Sequence, residues 1–424
     1  MISPRNYPSR CPGTHTAIAV LERGQSVRIR GRLLEKDGPR GVVLDETGSI
    51  ECLMLEDIQL DIGDIVELEG DFTDGGFLRV RAAICLTPSV RSYRTGDWTR
   101  FHRQDHDVIQ NLVARSRILS QIRSFFLERD YIEVETPHLV KYRGCEVHIE
   151  QFDTQYIEGK QQQGLYLAPS PELAMKRLLG VGMERIYQLG RCFRNGERSR
   201  LHNPEFTMVE WYRAYASYEQ MMEETEALVR SVIGCCSTSF QKGIAQDQAW
   251  PRIRVRDAFL QWVGVDLEEC WERDVLFRQL REGGFGSAQP DDTWEDLFNK
   301  ALLEKIEPQL KKMEAVFLCD YPAALGAMAK RREGDASWAE RVELYVDGVE
   351  LANGYTELND PVEQRARFLE ARSGCLNEPL DEEFLCAMEC GMPPAGGMAL
   401  GVDRLVMLAT GAQRIDDVLP FPLG

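Results

Sequence analysis

Three stretches of the chain concentrate side chains able to act on an anionic substrate. The first, CFRNGERSRLHNPEFTMVEWY, places Arg194, Glu197, Arg200 and His202 near Phe206 and ends on Glu210 and Tyr212. The second, RVELYVDGVELANGY, spaces Glu343 and Glu350 seven residues apart and leads on to Asn353, Tyr355 and Glu357. The third, GMALGVDRLVML, puts Arg404 behind Gly397, Ala399 and Gly401. Fixed guanidinium groups stabilise charge that builds on phosphorus oxygens during a displacement. A flat Phe ring gives an aromatic base an apolar face, and glycine lets backbone approach a nucleotide closely. If Asp347-Gly348 turns a hairpin, Glu343 and Glu350 fall on adjacent antiparallel strands, where two carboxylates suit Mg²⁺. Taken singly, each feature has a bland counterpart: a surface arginine, a solvated strand glutamate, a loop glycine. Their combination in one chain is what points to chemistry.

The elements that must carry these residues read as two groups. From about residue 20 to 86 the pattern is of short strands. Val27, Ile29 and Leu33 alternate with Arg28, Arg30 and Arg32, and Asp74-Gly75-Gly76 separates two later strands as a hairpin turn would. Five such strands suit a small β-barrel of the OB type over residues 1–88. Residues 89–107, polar and without periodicity, read as a linker. A helix is expected from Val108 to Arg129, with Val108, Leu112, Ile118, Ile122, Phe125 and Phe126 as its apolar stripe. The segment FLERDYIEVETP then runs from helix into strand and ends at Pro137. A second amphipathic helix, Trp294 to Ile306, is expected to stop near Pro308. The fold class is α+β.

A chain of 424 residues exceeds one ordinary core, which agrees with two domains. No apolar run approaches the roughly 20 residues of a membrane helix, and Met1–Arg10 lacks the apolar core of a signal peptide. A cytoplasmic location is expected. Twelve cysteines, Cys235–Cys236 among them, form no CxxC pair and six histidines are dispersed, so zinc-ligand spacing is absent. The formal charge of −18 argues against extensive, unselective contact with nucleic acid.

The three stretches, with FLERDYIEVETP, resemble motifs 1, 2 and 3 of the class II aminoacyl-tRNA synthetases, lysine branch, over residues 108–424. The resemblance implies an antiparallel catalytic sheet, homodimerisation through the motif containing Pro137, and use of ATP and Mg²⁺. It implies that Arg194, on a strand, meets the α-phosphate and that Arg404, at a helix start, meets the γ-phosphate. Arg200 and His202 would reach the triphosphate, and Phe206 would stack on adenine. Glu343 and Glu350 would hold the metal. Glu210 and Tyr212 would bind a basic side chain, which cannot be buried without a partner. Glu172, in SPELAMKRLL, with Asn353 and Glu357 would orient the amino and carboxylate groups, and Tyr355 would form a wall. Glu172 also suits a helix start after Ser170-Pro171 in purely structural terms.

The lysine branch holds both tRNA-charging enzymes and ligases that attach lysine to elongation factor P. SPELAMKRLL, Arg200 two residues before His202, and FLCDYPAALGAMAK resemble the ligases. So does Ala399, which stands where tRNA-charging enzymes have glycine and which in the ligases accompanies a preference for (R)-β-lysine. The expected activity is therefore adenylation of lysine or (R)-β-lysine and transfer to elongation factor P. The alternatives are tRNA charging and a non-catalytic paralogue. Two features depart from the pattern. The ligases lack a barrel, while this one carries ten Lys/Arg against fourteen Asp/Glu in residues 1–88 and offers no stacking aromatic in Gly41-Val42-Val43-Leu44. Gly196 stands where a glutamate normally recognises adenine, with Glu197 the next candidate.

Overall fold

The computed structural model describes residues 14–55, 58–89, 101, 108–144, 149–234, 248–371 and 379–423. Met1–Arg10, Cys235–Cys236 and nearly all of the expected linker lie outside these. The chain divides into two compact units, Met1–Arg115 with Leu419–Phe421, and Ser116–Val418 with Pro422–Gly424.

In the first unit, β1 (Ser26–Asp37), β2 (Arg40–Leu44), β3 (Ser49–Leu53), β4 (Ile65–Phe72) and β5 (Leu78–Thr87) close a barrel in the order β1-β2-β3-β5-β4. Alternation along the strands sends Val27, Ile29, Leu33, Val43, Val66, Leu68 and Leu78 inward, where all are buried. Gly31 is needed for closure, because a Cβ there would lie 2.6 Å from a Val43 methyl on the neighbouring strand. Arg28, Arg30 and Arg32 share one face as expected, but β4 neutralises it. Arg28 pairs with Glu69 at 3.1 Å, Arg30 with Glu67 at 2.7 Å, and Arg32 donates to the Gly63 carbonyl at 2.5 Å.

The second unit is built on a nine-stranded sheet. Its strands are β6 (Ile132–Glu133), β10 (Arg185–Phe193), β11 (Glu205–Ala214), β12 (Arg252–Arg254), β13 (Ala315–Pro322), β14 (Arg331–Arg332), β15 (Asp335–Val346), β16 (Val349–Thr356) and β17 (Ala395–Gly401). The order is β12-β13-β15-β16-β17-β11-β10-β6, with β14 beside β15, and only the two outermost pairs are parallel. A small sheet of β7 (Leu139–Val140), β8 (Asp153–Glu158) and β9 (Gln161–Leu167) stands apart. Alternation again sets the faces. Val209 and Trp211 of β11 turn to the core, where Trp211 lies 5.3 Å from the Phe126 ring of helix Val108–Leu127. Glu210 and Tyr212 therefore turn to the opposite face.

Pro308 does not end its helix. Trp294–Ala301 continues through a wide turn, Leu302–Ile306, and one further α-turn, Glu307–Leu310, that contains the proline. The wide turn removes the clash between the proline ring and the preceding helical carbonyl that would otherwise stop the helix.

Candidate active site

Three central strands place the sequence-derived residues in two rungs. Glu210 of β11 pairs with Ala399 of β17, and Ala399 pairs with Asn353 of β16. Two residues along, Tyr212 pairs with Gly397, and Gly397 with Tyr355. The register thus puts two small residues between flanking polar and aromatic ones, which opens a trough across the sheet. A Cβ on Gly397 would sit 2.5 Å from Tyr212 Cε1 and against Glu357 Oε1, so only glycine fits.

The trough is a cavity of about 160 Å³. Its wall includes Glu172, Arg194, Glu197, His202, Phe206, Glu210, Tyr212, Glu350, Asn353, Tyr355, Glu357, Ala399, Gly401 and Arg404. Of the residues expected here, Arg200 and Glu343 are not on the wall. Arg200 is exposed on the loop after β10, and its carbonyl accepts from Ile415 N–H. Glu343 is buried behind the wall. Its carboxylate accepts from Tyr321 at 2.6 Å, Tyr345 at 2.9 Å and Arg341 at 2.8 Å.

At one end the groups are cationic. Arg194 lies one residue beyond the strand on which it was expected, because β10 stops at Phe193. Its backbone still pairs across the loop to Pro204 O at 2.9 Å. The guanidinium carbon sits 5.2 Å from the Phe206 ring centroid, while Nε is buried with no hydrogen-bond partner. Gly196 adopts φ +75°, a turn open to glycine, and this turn brings Glu197 onto the wall. Arg404 is the third residue of helix Val402–Thr410. It donates to the Glu350 carbonyl at 2.6 Å and meets His202 Nε2 at 2.6 Å. Since arginine only donates, His202 must accept at Nε2 and carry its proton on Nδ1, toward Ser199 Oγ at 2.8 Å. Burial and the facing Arg404 both lower the His202 pKa, which keeps the ring neutral. Asp403, which the sequence reading did not single out, is buried and accepts from Thr207 N–H at 2.8 Å, tying this helix to β11.

The other end is acidic. Glu210 accepts from Ser170 Oγ at 2.7 Å and from Tyr212 OH at 3.0 Å. Glu172, first residue of helix Glu172–Gly180, accepts from Tyr355 OH at 3.0 Å. Lys176, one helical turn on and also missed from sequence, lies 2.6 Å from Glu172 and 2.5 Å from Glu357. Its only legible signal was the i,i+4 Glu–Lys spacing in a helix whose other residues, Arg177 apart, are apolar or glycine. Burial alone would lower the Lys176 pKa, but its two glutamates more than offset that and raise it, so the ammonium stays charged. One lysine cannot satisfy three carboxylates. Burial, reinforced by Glu172, pushes Glu210 up to about 8. Burial pushes Glu357 up to about 8 as well, against the pull of Lys176. Both shifts mark a chamber short of positive charge.

Between the two ends, the Glu350 side chain opens to solvent through the cleft, 44% accessible. The low-dielectric walls of that cleft, together with Glu343, raise its pKa to about 7. The hairpin between the two glutamates forms as expected, with Asp347 and Gly348 at φ +50° and +73°. A bulge after Leu344 shifts the register, so Glu343 faces Asn353 and Glu350 faces Tyr345. Among the described residues no cluster of three or more His, Cys, Asp or Glu suited to a metal occurs, nor is any helix long and apolar enough to cross a membrane.

Phosphate-type arginines at one end of a trough and an under-neutralised acidic chamber at the other define an ATP-dependent amino acid ligase. Residues 97–424 match the model of the tRNA synthetases class II (D, K and N), and the chain belongs to that family. It is 38% identical to the elongation factor P–(R)-β-lysine ligase of Proteus mirabilis, over 74% of this chain and 95% of the relative. The same protein name from Vibrio cholerae matches at 38% identity with the same coverage. A lysine–tRNA ligase of Pelotomaculum thermopropionicum is 35% identical over 98% of this chain and 90% of the relative.

Proposed function

We propose that this enzyme uses ATP to activate lysine or (R)-β-lysine as an aminoacyl-adenylate and transfers it to a lysine side chain of elongation factor P. The observation that carries the amino acid choice is the acidic chamber. Its buried glutamates exceed the charge of Lys176, and a basic side chain would supply what is missing. Arg194 would hold the α-phosphate with its unpartnered Nε near the reacting centre, and Arg404 the γ-phosphate, with His202 beside it. Phe206 and Glu197 would seat adenine. Glu350, with Glu343 behind it, would hold Mg²⁺; the Glu343 carboxylate disfavours charge on Glu350, a conflict that a divalent cation relieves. Bound there, Mg²⁺ would neutralise part of the triphosphate charge.

Two observations support the protein acceptor. Ala399 sits between Glu210 and Asn353, so its methyl group forms part of the amino acid floor, at the position where the resemblance to the (R)-β-lysine ligases implies alanine. The barrel's arginine row is spent on Glu67, Glu69 and a backbone carbonyl, which supports little phosphate binding there. The closed order β1-β2-β3-β5-β4 supports an OB-like reading of the barrel, and the bounds proposed for the parts are 1–88, 89–107 and 108–424. The second reading, tRNA charging, has one specific observation in its favour: the lysine–tRNA ligase matches through the barrel, while the elongation factor P ligases cover only three quarters of the chain. Cytoplasmic location and a homodimer complete the proposal, the latter supported by Ile132 and Leu139, each 53% exposed on either side of Pro137.

ATP–pyrophosphate exchange with α-lysine and (R)-β-lysine, followed by transfer to elongation factor P or tRNA, tests both parts. Lysine-dependent exchange and transfer to elongation factor P are expected. Exchange with neither amino acid would refute the activity, and efficient tRNA charging would refute the acceptor.

A further inference from the structure

Lys176 has no task in the reading above, yet 1% of its side chain is accessible and it touches two of the chamber's three buried glutamates. We propose that Lys176 is a specificity-determining positioning residue: it holds the chamber two charges below neutrality, the complement of an amino acid with two ammonium groups. The proposal rests on the lysine-type reading and deepens it.

The charge count follows from burial. Glu172, Glu210 and Glu357 are buried on the wall, and once all three are ionised against bound ammonium groups, three glutamates less one lysine leave two negative charges. A substrate such as lysine brings two ammonium groups, while its carboxylate is the group that reacts at the arginine end. Without Lys176, like charges on Glu172 and Glu357 would compete, and one carboxyl would take a proton and become a poor partner for an ammonium. The geometry adds a positional role. Lys176 sits against Glu357 Oε2, and Tyr355 OH and Lys176 converge on Glu172 Oε1. Neither buried oxygen of Glu357 makes a hydrogen bond: Oε2 has its ion pair with Lys176, and Oε1 lies beside Gly397. Lys176 thus holds one oxygen of Glu357 and presents the other to the trough. Met328 Sδ, 3.8 Å from Nζ, and the Tyr355 ring, 5.4 Å away, complete its surroundings without adding charge.

A charge-balance experiment separates this role from a structural one. The readout is the ratio of kcat/KM for lysine to that for norleucine, which carries one ammonium, in ATP–pyrophosphate exchange. Glu357→Gln leaves the chamber one charge below neutrality and should lower the ratio about tenfold or more. Adding Lys176→Met to Glu357→Gln returns the count to two, so the double variant should recover most of that loss, with KM for ATP unchanged. A lysine that only supported the fold would make the double variant worse than Glu357→Gln, and that result overturns the proposal. If Glu357→Gln is inactive, calorimetric binding of lysine and norleucine replaces exchange, and absence of recovery there is equally fatal. Lys176→Met alone orphans two carboxylates and is not needed for the decision. Wild-type protein without lysine-dependent exchange would refute the functional reading; wild-type exchange without recovery in the double variant would refute only the role of Lys176.

Discussion

Glu210→Gln should make the unliganded protein more stable while abolishing lysine-dependent exchange. Burial foremost, then Glu172, pushes the Glu210 carboxyl from 4.5 up to about 8, against hydrogen bonds from Ser170 and Tyr212 that favour its ionised form. The folded state therefore binds this proton more tightly than the unfolded state does. The stability carried by the protonated carboxyl is complete below pH 4.5 and drains away as pH rises toward 8. Each pH unit in that window is worth about 1.4 kcal/mol, giving a deficit of about 2 kcal/mol at pH 6 and about 5 kcal/mol at pH 9. Glutamine keeps the shape and cannot ionise. Its carbonyl can accept from Tyr212 and its amide can donate to Ser170 Oγ. The variant's margin over wild type should thus widen by about 3 kcal/mol at most between pH 6 and 9 and disappear below pH 4.5.

Urea unfolding of the full chain at pH 4, 6, 7.5 and 9, followed by tryptophan fluorescence, measures that margin. Saturating lysine should close it at pH 9, because the ligand's ammonium compensates the wild-type carboxylate and has no counterpart in the variant. A margin that stays constant with pH, or a variant less stable than wild type at pH 9, would show that Glu210 is not held under-neutralised, and the argument for a cation-seeking chamber would fall with it.

Arg404→Ala should abolish pyrophosphate exchange without altering the oligomeric state in sedimentation; residual exchange above a few per cent would refute its phosphate role. Gly397→Ala drives a methyl group to 2.5 Å from Tyr212, itself 3% exposed, and overpacking of about 1–3 kcal/mol should raise the amino acid KM about tenfold to a hundredfold with the ATP KM unchanged. Equal changes in both constants would place Gly397 outside the amino acid site. Ala399→Gly removes the methyl group between Glu210 and Asn353 and should shift the exchange preference from (R)-β-lysine toward α-lysine. An unchanged ratio would show that the floor does not discriminate.

Much of this site was legible because strand periodicity and motif content agree. Alternation alone assigns Glu210 and Tyr212 to the face opposite Trp211, and the Asp347-Gly348 turn announces the hairpin that carries Glu350 and Asn353. What stayed hidden depends on contacts between elements distant in sequence. Lys176 reads as an ordinary helix lysine until Glu357, on the far side of the chain, closes on it. Glu343 reads as an open carboxylate on the wall until Tyr321, Tyr345 and Arg341 are seen to engage its oxygens behind Glu350. Pro308 reads as a stop because a local rule cannot anticipate a wide turn just before it.

Arginine shows the same limit from the opposite direction, and it bears on the acceptor. Arg28 and Arg30 on the barrel and Arg194 in the trough are the same residue type, each next to alternating apolar positions. Their chemistry separates only through their partners. The barrel pair is engaged by Glu67 and Glu69, a neutral ladder that would have to be broken before phosphate could bind. Arg194 keeps a buried Nε without a partner, and its nearest carboxylate, Glu197, stands 4.0 Å away. A buried unpartnered donor costs stability unless something fills its place, so the fold bears a cost at Arg194 that it avoids on the barrel. Such a cost fits a position where a phosphate oxygen arrives during turnover. Among the described residues the barrel bears no equivalent cost, so a match to a lysine–tRNA ligase that extends through the barrel does not by itself make it a tRNA-binding surface here.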